Sequence, residues 1–213
     1  GRDRDHLPPP VAPPNGAGLE GRAVGDTVSD FNGLGATGWI PPDTILAVGP
    51  RHVVESTNSG FAVYSKLGTE MQSYTTFSSF VNLPSPWNGF LYDPRVVWSP
   101  DHDQFVMLIL GLDATNQGSY YWIMVSQTAD PTGEWWVWRF GGAPVSEWLD
   151  YASLGVDQWG VYVAGNKFTW ADSFHEAIFS SKNVAMMSGG DSNGYGWTDL
   201  RWPDTSYASS PQI

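Results

Sequence analysis

Three aspartates carry the first chemical suggestion in this chain. Asp43 stands in PPDTILAVGPRHVVESTN, Asp93 in YDPRVVWSPDHDQFVMLIL and Asp150 in DYASLGVDQWGVYVAGN. Asp43 to Asp93 is 50 residues and Asp93 to Asp150 is 57. Carboxylates brought within about 5–10 Å of each other suit glycoside hydrolysis, one protonated as acid and the other ionised as base or nucleophile. The same cluster would equally suit Ca²⁺, which prefers several hard oxygens. Asp93 and Asp150 are the catalytic candidates. Asp43, Arg95, Trp148, Tyr151 and Asn166 are the candidates for holding a substrate. Against this stands a plainer role, because an aspartate before a strand commonly accepts backbone N–H bonds and simply closes a turn.

The elements that must position these residues read as short strands. Ala47–Val48, His52–Thr57, Phe61–Tyr64, Arg95–Trp98, Phe105–Leu110, Tyr120–Ser126, Trp135–Phe140, Ser153–Val156, Val161–Ala164, Ala177–Ser180 and Val184–Met187 are rich in Val, Ile, Tyr, Phe and Trp. Gly, Pro, Asn and Asp turns separate them, as at Gly49-Pro50, Asn58-Ser59-Gly60, Ser99-Pro100 and Asp130-Pro131. No stretch sustains a 3.6-residue period, and Trp170–Ala177 is the one place that allows a helical turn. The fold class is all-β.

Each repeat holds an Asp, a short apolar strand, a turn, a longer strand, a Gly/Asn turn and a third strand, often with a fourth. Four antiparallel strands in about 40–50 residues is the size of one propeller blade. Three such units make an incomplete β-propeller, since closed rings hold about four to eight blades. A two-sheet sandwich is the alternative for short, regularly spaced strands. The blades start near Asp43, Asp93 and Asp150 and occupy residues 24–213. Residues 1–23, rich in Pro and Gly, read as a linker or an arm lying on a surface. The ending PDTSYASSPQI reads as the lead-in to a further blade. A second polypeptide, or more of the same one, is the expected partner.

Bulk properties set further bounds. Of 213 residues, 41 % are hydrophobic and 15 % charged, with 24 Gly and 16 Pro, a balance that favours turns and strands. Ten Lys and Arg against 22 Asp and Glu leave a formal charge of −12. A surface this acidic repels nucleic acid and anionic membranes. The chain has no cysteine, which excludes disulfides, thiolate zinc sites and a Cys nucleophile. No apolar run is long enough to span a bilayer. The start at Gly1 reads as a processed or excised piece.

FNGLGATGWIPPDTILAVGPRHVVESTNSGFAVYSKLG resembles the opening repeat of secreted bacterial proteins with predicted propeller architecture, whose pattern is Pro-Pro-Asp-Thr, Ala-Val-Gly-Pro, His-x-Val and then Asn. YDPRVVWSP and DYASLGVDQWGVYVAGN are similar to their second and third repeats. The resemblance implies a propeller and export, and it assigns no catalytic residue.

Other chemistry is thin. His52, His102 and His175 lack metal spacing, and no Gly-x-Ser-x-Gly nucleophile motif occurs. GGDSNGYG (189–196) lacks the closing acid of a calcium loop. Twelve Trp, 9 Tyr and 10 Phe are the strongest remaining signal. Most should pack in the core, while Trp87, Trp148 and Trp170 are placed in loops where a ring could stack on a sugar. The expectation is an exported protein acting on a polysaccharide or oligosaccharide, the alternative a non-catalytic scaffold that binds glycan or protein.

Overall fold

A computed structural model describes residues 29–171, 174–190 and 199–202. The arm (1–23), the loop 191–198 and the ending from 203 lie outside the described residues. The described residues form three four-stranded antiparallel sheets, each with its strands in sequence order. Sheet 1 holds β1 (Ile45–Val48), β2 (His52–Thr57), β3 (Gly60–Ser65) and β4 (Glu70–Thr76). Sheet 2 holds β5 (Phe90–Ser99), β6 (Gln104–Asp113), β7 (Gly118–Ser126) and β8 (Trp135–Gly142). Sheet 3 holds β9 (Glu147–Val156), β10 (Gly160–Thr169), β11 (Phe174–Asn183) and β12 (Asp199–Trp202).

Sheet 2 is sandwiched between the other two, and its sequence shows why. Side chains alternate faces along a strand, so a strand buried on both faces becomes a continuous apolar run. FVMLIL in β6 is such a run, and Phe105 to Leu110 are all buried. Phe105, Met107, Ile109, Trp122 and Met124 pack against Ala47, Val54, Phe61 and Val63 of sheet 1. Val106, Leu108, Leu110, Ile123 and Val125 pack against Ala152, Leu154, Val161 and Val163 of sheet 3. The run Trp135–Trp138 splits the same way: Trp135 and Val137 join the first core, Trp136 and Trp138 the second.

Several sequence expectations need correction. Val184–Met187 is not a strand but part of a 3₁₀ turn, Val184–Ser188, which inserts Met186 and Met187 into the second core. Short apolar runs do not reveal their period. The helical turn is not at Trp170–Ala177, where β11 has begun by Phe174. It is α1, Phe77–Phe80, whose Phe77 is fully buried. The first strands of sheets 2 and 3 also start earlier than expected, so Asp93 and Asp150 lie inside β5 and β9 rather than ahead of them.

Candidate functional site

The three aspartates stand at the necks of the first strands of the three sheets, where the backbone is bent. Asp43, Asp93 and Tyr151 all have positive φ, at 47°, 54° and 52°. In β5, Tyr92 pairs with Leu110 and Arg95 with Leu108, so Asp93 and Pro94 together oppose one residue of β6. In β9, Asp150 pairs with Asn166 and Ser153 with Ala164, leaving Tyr151 and Ala152 opposite Gly165. This is the same bulge twice, and such bulges re-aim side chains. The conformational equivalent of Asp43 and Asp93 is therefore Tyr151, and Asp150 precedes it by one residue. An aspartate tolerates the left-handed region better than a tyrosine does, so Tyr151 carries strain that its two counterparts avoid.

Side chains at the necks tie each sheet to the next. The Asn58 Oδ1 accepts the Asp93 N–H at 2.7 Å, which joins sheet 1 to sheet 2. Asn58 is itself held: its Nδ2 donates to Asp43 Oδ2 and to the Pro41 carbonyl, and its N–H donates to the Pro42 carbonyl at 2.8 Å. The register puts Leu110 of sheet 2 where sheet 1 has Asn58, and leucine cannot accept a hydrogen bond. There the Asp93 carboxylate takes over. Its Oδ2 accepts the Tyr151 N–H at 2.9 Å, joining sheet 2 to sheet 3. The Tyr92 hydroxyl reinforces this seam by donating to the Leu149 carbonyl.

The second seam gathers charge. The Asp93 carboxyl is pushed up from 3.8 to about 6. Burial is the first cause and the Asp150 carboxylate the second; the Tyr151 N–H and the Arg95 guanidinium pull the other way, and Asp43 adds a further upward push. Burial, Asp150 and Asp93 also push the Tyr92 phenol well above its usual value, so it stays a donor at neutral pH. Chemically, Asp93 is a carboxyl poised to hold or release a proton near pH 6, with Asp150 close enough for their charges to be felt.

The remaining candidates divide. Arg95 donates to the Pro94 carbonyl at 2.8 Å and lies over the Tyr151 ring at 5.9 Å. It acts on Asp93 through its field. Tyr151 is 46 % exposed and has a ring available to a ligand. Asn166 is buried beside Asp150 in the register. Trp148 stacks on Phe168 at 5.1 Å and donates to the Thr169 carbonyl, which commits it to packing. Trp87 packs edge-on against Trp122 at 6.1 Å, and Trp170 donates to the Val145 carbonyl; neither is a free loop ring.

Two residues escaped the sequence reading. Asn58 was read only as a turn residue closing a motif, and Trp159, 71 % exposed, sits at the tip of a turn whose Asp157 Oδ1 accepts the Trp159 and Gly160 N–H groups. Among the described residues, no group of three or more His, Cys, Asp or Glu side chains is placed to hold a metal ion. Comparison with known proteins finds no match for this chain among family models, curated proteins or solved structures.

Proposed function

We propose that the chain supplies three blades of an exported β-propeller, and that its neck face acts on a polysaccharide or oligosaccharide. Support for the propeller comes from three sheets in sequence order that stack face on face, each entered through the same kinked neck. The reading of function rests on one observation. Burial and the nearby Asp150 carboxylate of the adjacent sheet raise the Asp93 carboxyl to about 6. A carboxyl that holds its proton near pH 6 with a second carboxylate in the neighbourhood is what proton transfer to a glycosidic oxygen needs. Asp93 would donate the proton and the Asp150 carboxylate would activate water or attack. Asp43, Arg95 and the exposed Tyr151 ring would border the sugar.

A second reading has its own observation. Asp43 Oδ2 and Asp93 Oδ2 both accept hydrogen bonds that hold necks together, which favours a binding scaffold without turnover. Release of reducing ends from a panel of polysaccharides, compared between the native chain and Asp150→Asn, separates the two. Turnover lost in the variant supports the enzyme. Binding on a glycan array without turnover supports the scaffold, and neither activity nor binding overturns both.

A further inference from the structure

The backbone on either side of Asp150 is tied across the second seam. Ahead of it, both polar groups of Leu149 are taken by sheet 2. The Leu149 carbonyl accepts the Tyr92 hydroxyl of β5, and the Leu149 N–H donates to Ser119 Oγ of β7 at 3.2 Å. Behind it, the Tyr151 N–H donates to Asp93 Oδ2 at 2.9 Å. Three side chains of sheet 2 therefore hold three successive residues of sheet 3, with Asp150 in the middle. The sequence places the two hydroxyls on the correct face. Tyr92 belongs to the core shared with sheet 3, and Ser119 is in step along β7 with Ile123 and Val125, which pack there.

Sheet 3 alone does not fix this stretch. Its ladder is interrupted just after Asp150, where Tyr151 and Ala152 oppose the single residue Gly165. A strand bends at such a bulge, and Gly165 has no side chain for the bulge to lean on. A Cβ there would meet the Asp150 carbonyl oxygen first, at 3.3 Å. The direction of Asp150 is thus left to the ties from sheet 2. Those ties are buried, since Tyr92 and Ser119 are each 7 % exposed. A buried hydroxyl without a partner is costly, so each has reason to keep its grip on Leu149.

We propose that Tyr92 and Ser119 are positioning residues for Asp150: by clasping Leu149 they hold the bulge against sheet 2 and fix the separation of the Asp150 and Asp93 carboxyls. Their hydrogen bonds go to the Leu149 backbone and not to either carboxylate, so they act through the chain. The consequence for turnover rests on the carbohydrate reading; the clasp itself is a matter of geometry. Two carboxyls alter each other's proton affinity according to their distance and the water around them. If residues 149–151 swing outward, the Asp150 charge recedes and water reaches Asp93. Both changes lower the proton affinity of Asp93, because burial and Asp150 are the two largest causes that raise it. Loss of the Tyr151 N–H pushes the other way but ranks below both. Arg95 and Asp43, the remaining charges felt by Asp93, lie on sheet 2 and ahead of sheet 1, away from the bulge. The clasp therefore keeps Asp93 an acid that carries its proton near pH 6.

The test is the Asp93 carboxyl titration followed by NMR in the full chain. Ser119→Ala is the cleaner probe, because it releases one grip on Leu149 and removes no charged group. Its Asp93 midpoint should move from about 6 toward 3.8, with an unchanged circular dichroism spectrum. Ser119→Thr keeps a hydroxyl and should titrate like the native chain, a rescue that separates the clasp from general loosening. Tyr92→Phe should move the midpoint the same way, and amide exchange at Tyr151 should quicken in both clasp-breaking variants. If Tyr92→Phe does not fold, the Ser119 pair decides alone. An Asp93 titration unmoved by Ser119→Ala, or moved equally by Ser119→Thr, overturns the proposal. Where a polysaccharide is cleaved, the pH profile of turnover should shift with the titration. A native chain without turnover defeats the carbohydrate reading and leaves the clasp to be judged by the titration. Turnover with an unmoved titration defeats the clasp and leaves the carbohydrate reading standing.

Discussion

The Tyr151 N–H donates to Asp93 Oδ2 at 2.9 Å, so a carboxylate of one sheet fixes the kinked neck of the next. Asn58 does the same job one sheet earlier, through a neutral amide. The two ties differ in charge, and that difference should be measurable. Asn58→Ala removes the acceptor for the Asp93 N–H and the donor to Asp43 at once. It should cost about 1–3 kcal/mol in urea unfolding, the penalty for leaving buried polar groups without partners. A change under about 0.5 kcal/mol would mean that water replaces the amide and that the tie carries no weight.

Stability should depend on pH through Asp93. Its carboxyl titrates at about 6 in the folded protein against 3.8 in the unfolded chain, so between those values the folded state binds more protons. Stability then falls as pH rises from about 4 to about 6 and is level above. Asp113, Asp130 and Asp157, each held low mainly by hydrogen bonds that outweigh desolvation, act oppositely and only at lower pH, where protonation removes their stabilisation. Thermal melts across pH 3–8 should show a maximum near pH 4. In Asp93→Asn the decline between pH 4 and 6 should vanish, and its persistence would assign the titration to another group.

Strain at Tyr151 is a third check. A left-handed backbone costs a bulky residue roughly 1–2 kcal/mol, and asparagine tolerates it better. Tyr151→Asn should raise the unfolding midpoint while keeping the N–H that Asp93 accepts. If the ring also meets a sugar, the same variant should weaken glycan binding. Raised stability with weakened binding marks a residue kept for function at a structural cost. Lower stability would show that the contact with Arg95 outweighs the strain.

How much of this was legible follows from what leaves a mark on residue type. The repeat was legible because Asp43 and Asp93 fill equivalent kinks and aspartate suits them. The third kink was misplaced by one residue because Tyr151 fills it, and side-chain identity does not show φ. Sheet 2 announced its double burial through FVMLIL. Strand β4, EMQSYTT, left no such mark: it is an outer, largely exposed strand without apolar alternation. The ties were illegible altogether, since Asn58 looks like a turn residue until the register brings it beside Asp93.

The sharpest prediction concerns Asp150. In the enzyme reading it keeps a negative charge that both raises Asp93 and assists the reaction, so Asp150→Asn should act in two places together. The Asp93 carboxyl should drop from about 6 toward 3.8, visible as a shifted carboxyl titration by NMR, because its second largest upward influence is gone. Turnover should fall by orders of magnitude, about 10²–10⁴-fold for a lost acid–base partner. The melting temperature at pH 7 should hold or rise, since a repulsion between two partly buried carboxylates has been removed. Asp93→Asn is the necessary partner experiment, because it keeps an oxygen that can accept the Tyr151 N–H while removing the proton donor. If Asp150→Asn moves the Asp93 titration and leaves activity untouched, the pair is electrostatic furniture of the seam and the scaffold reading takes its place. If neither changes, Asp150 lies too far from Asp93 for a shared reaction.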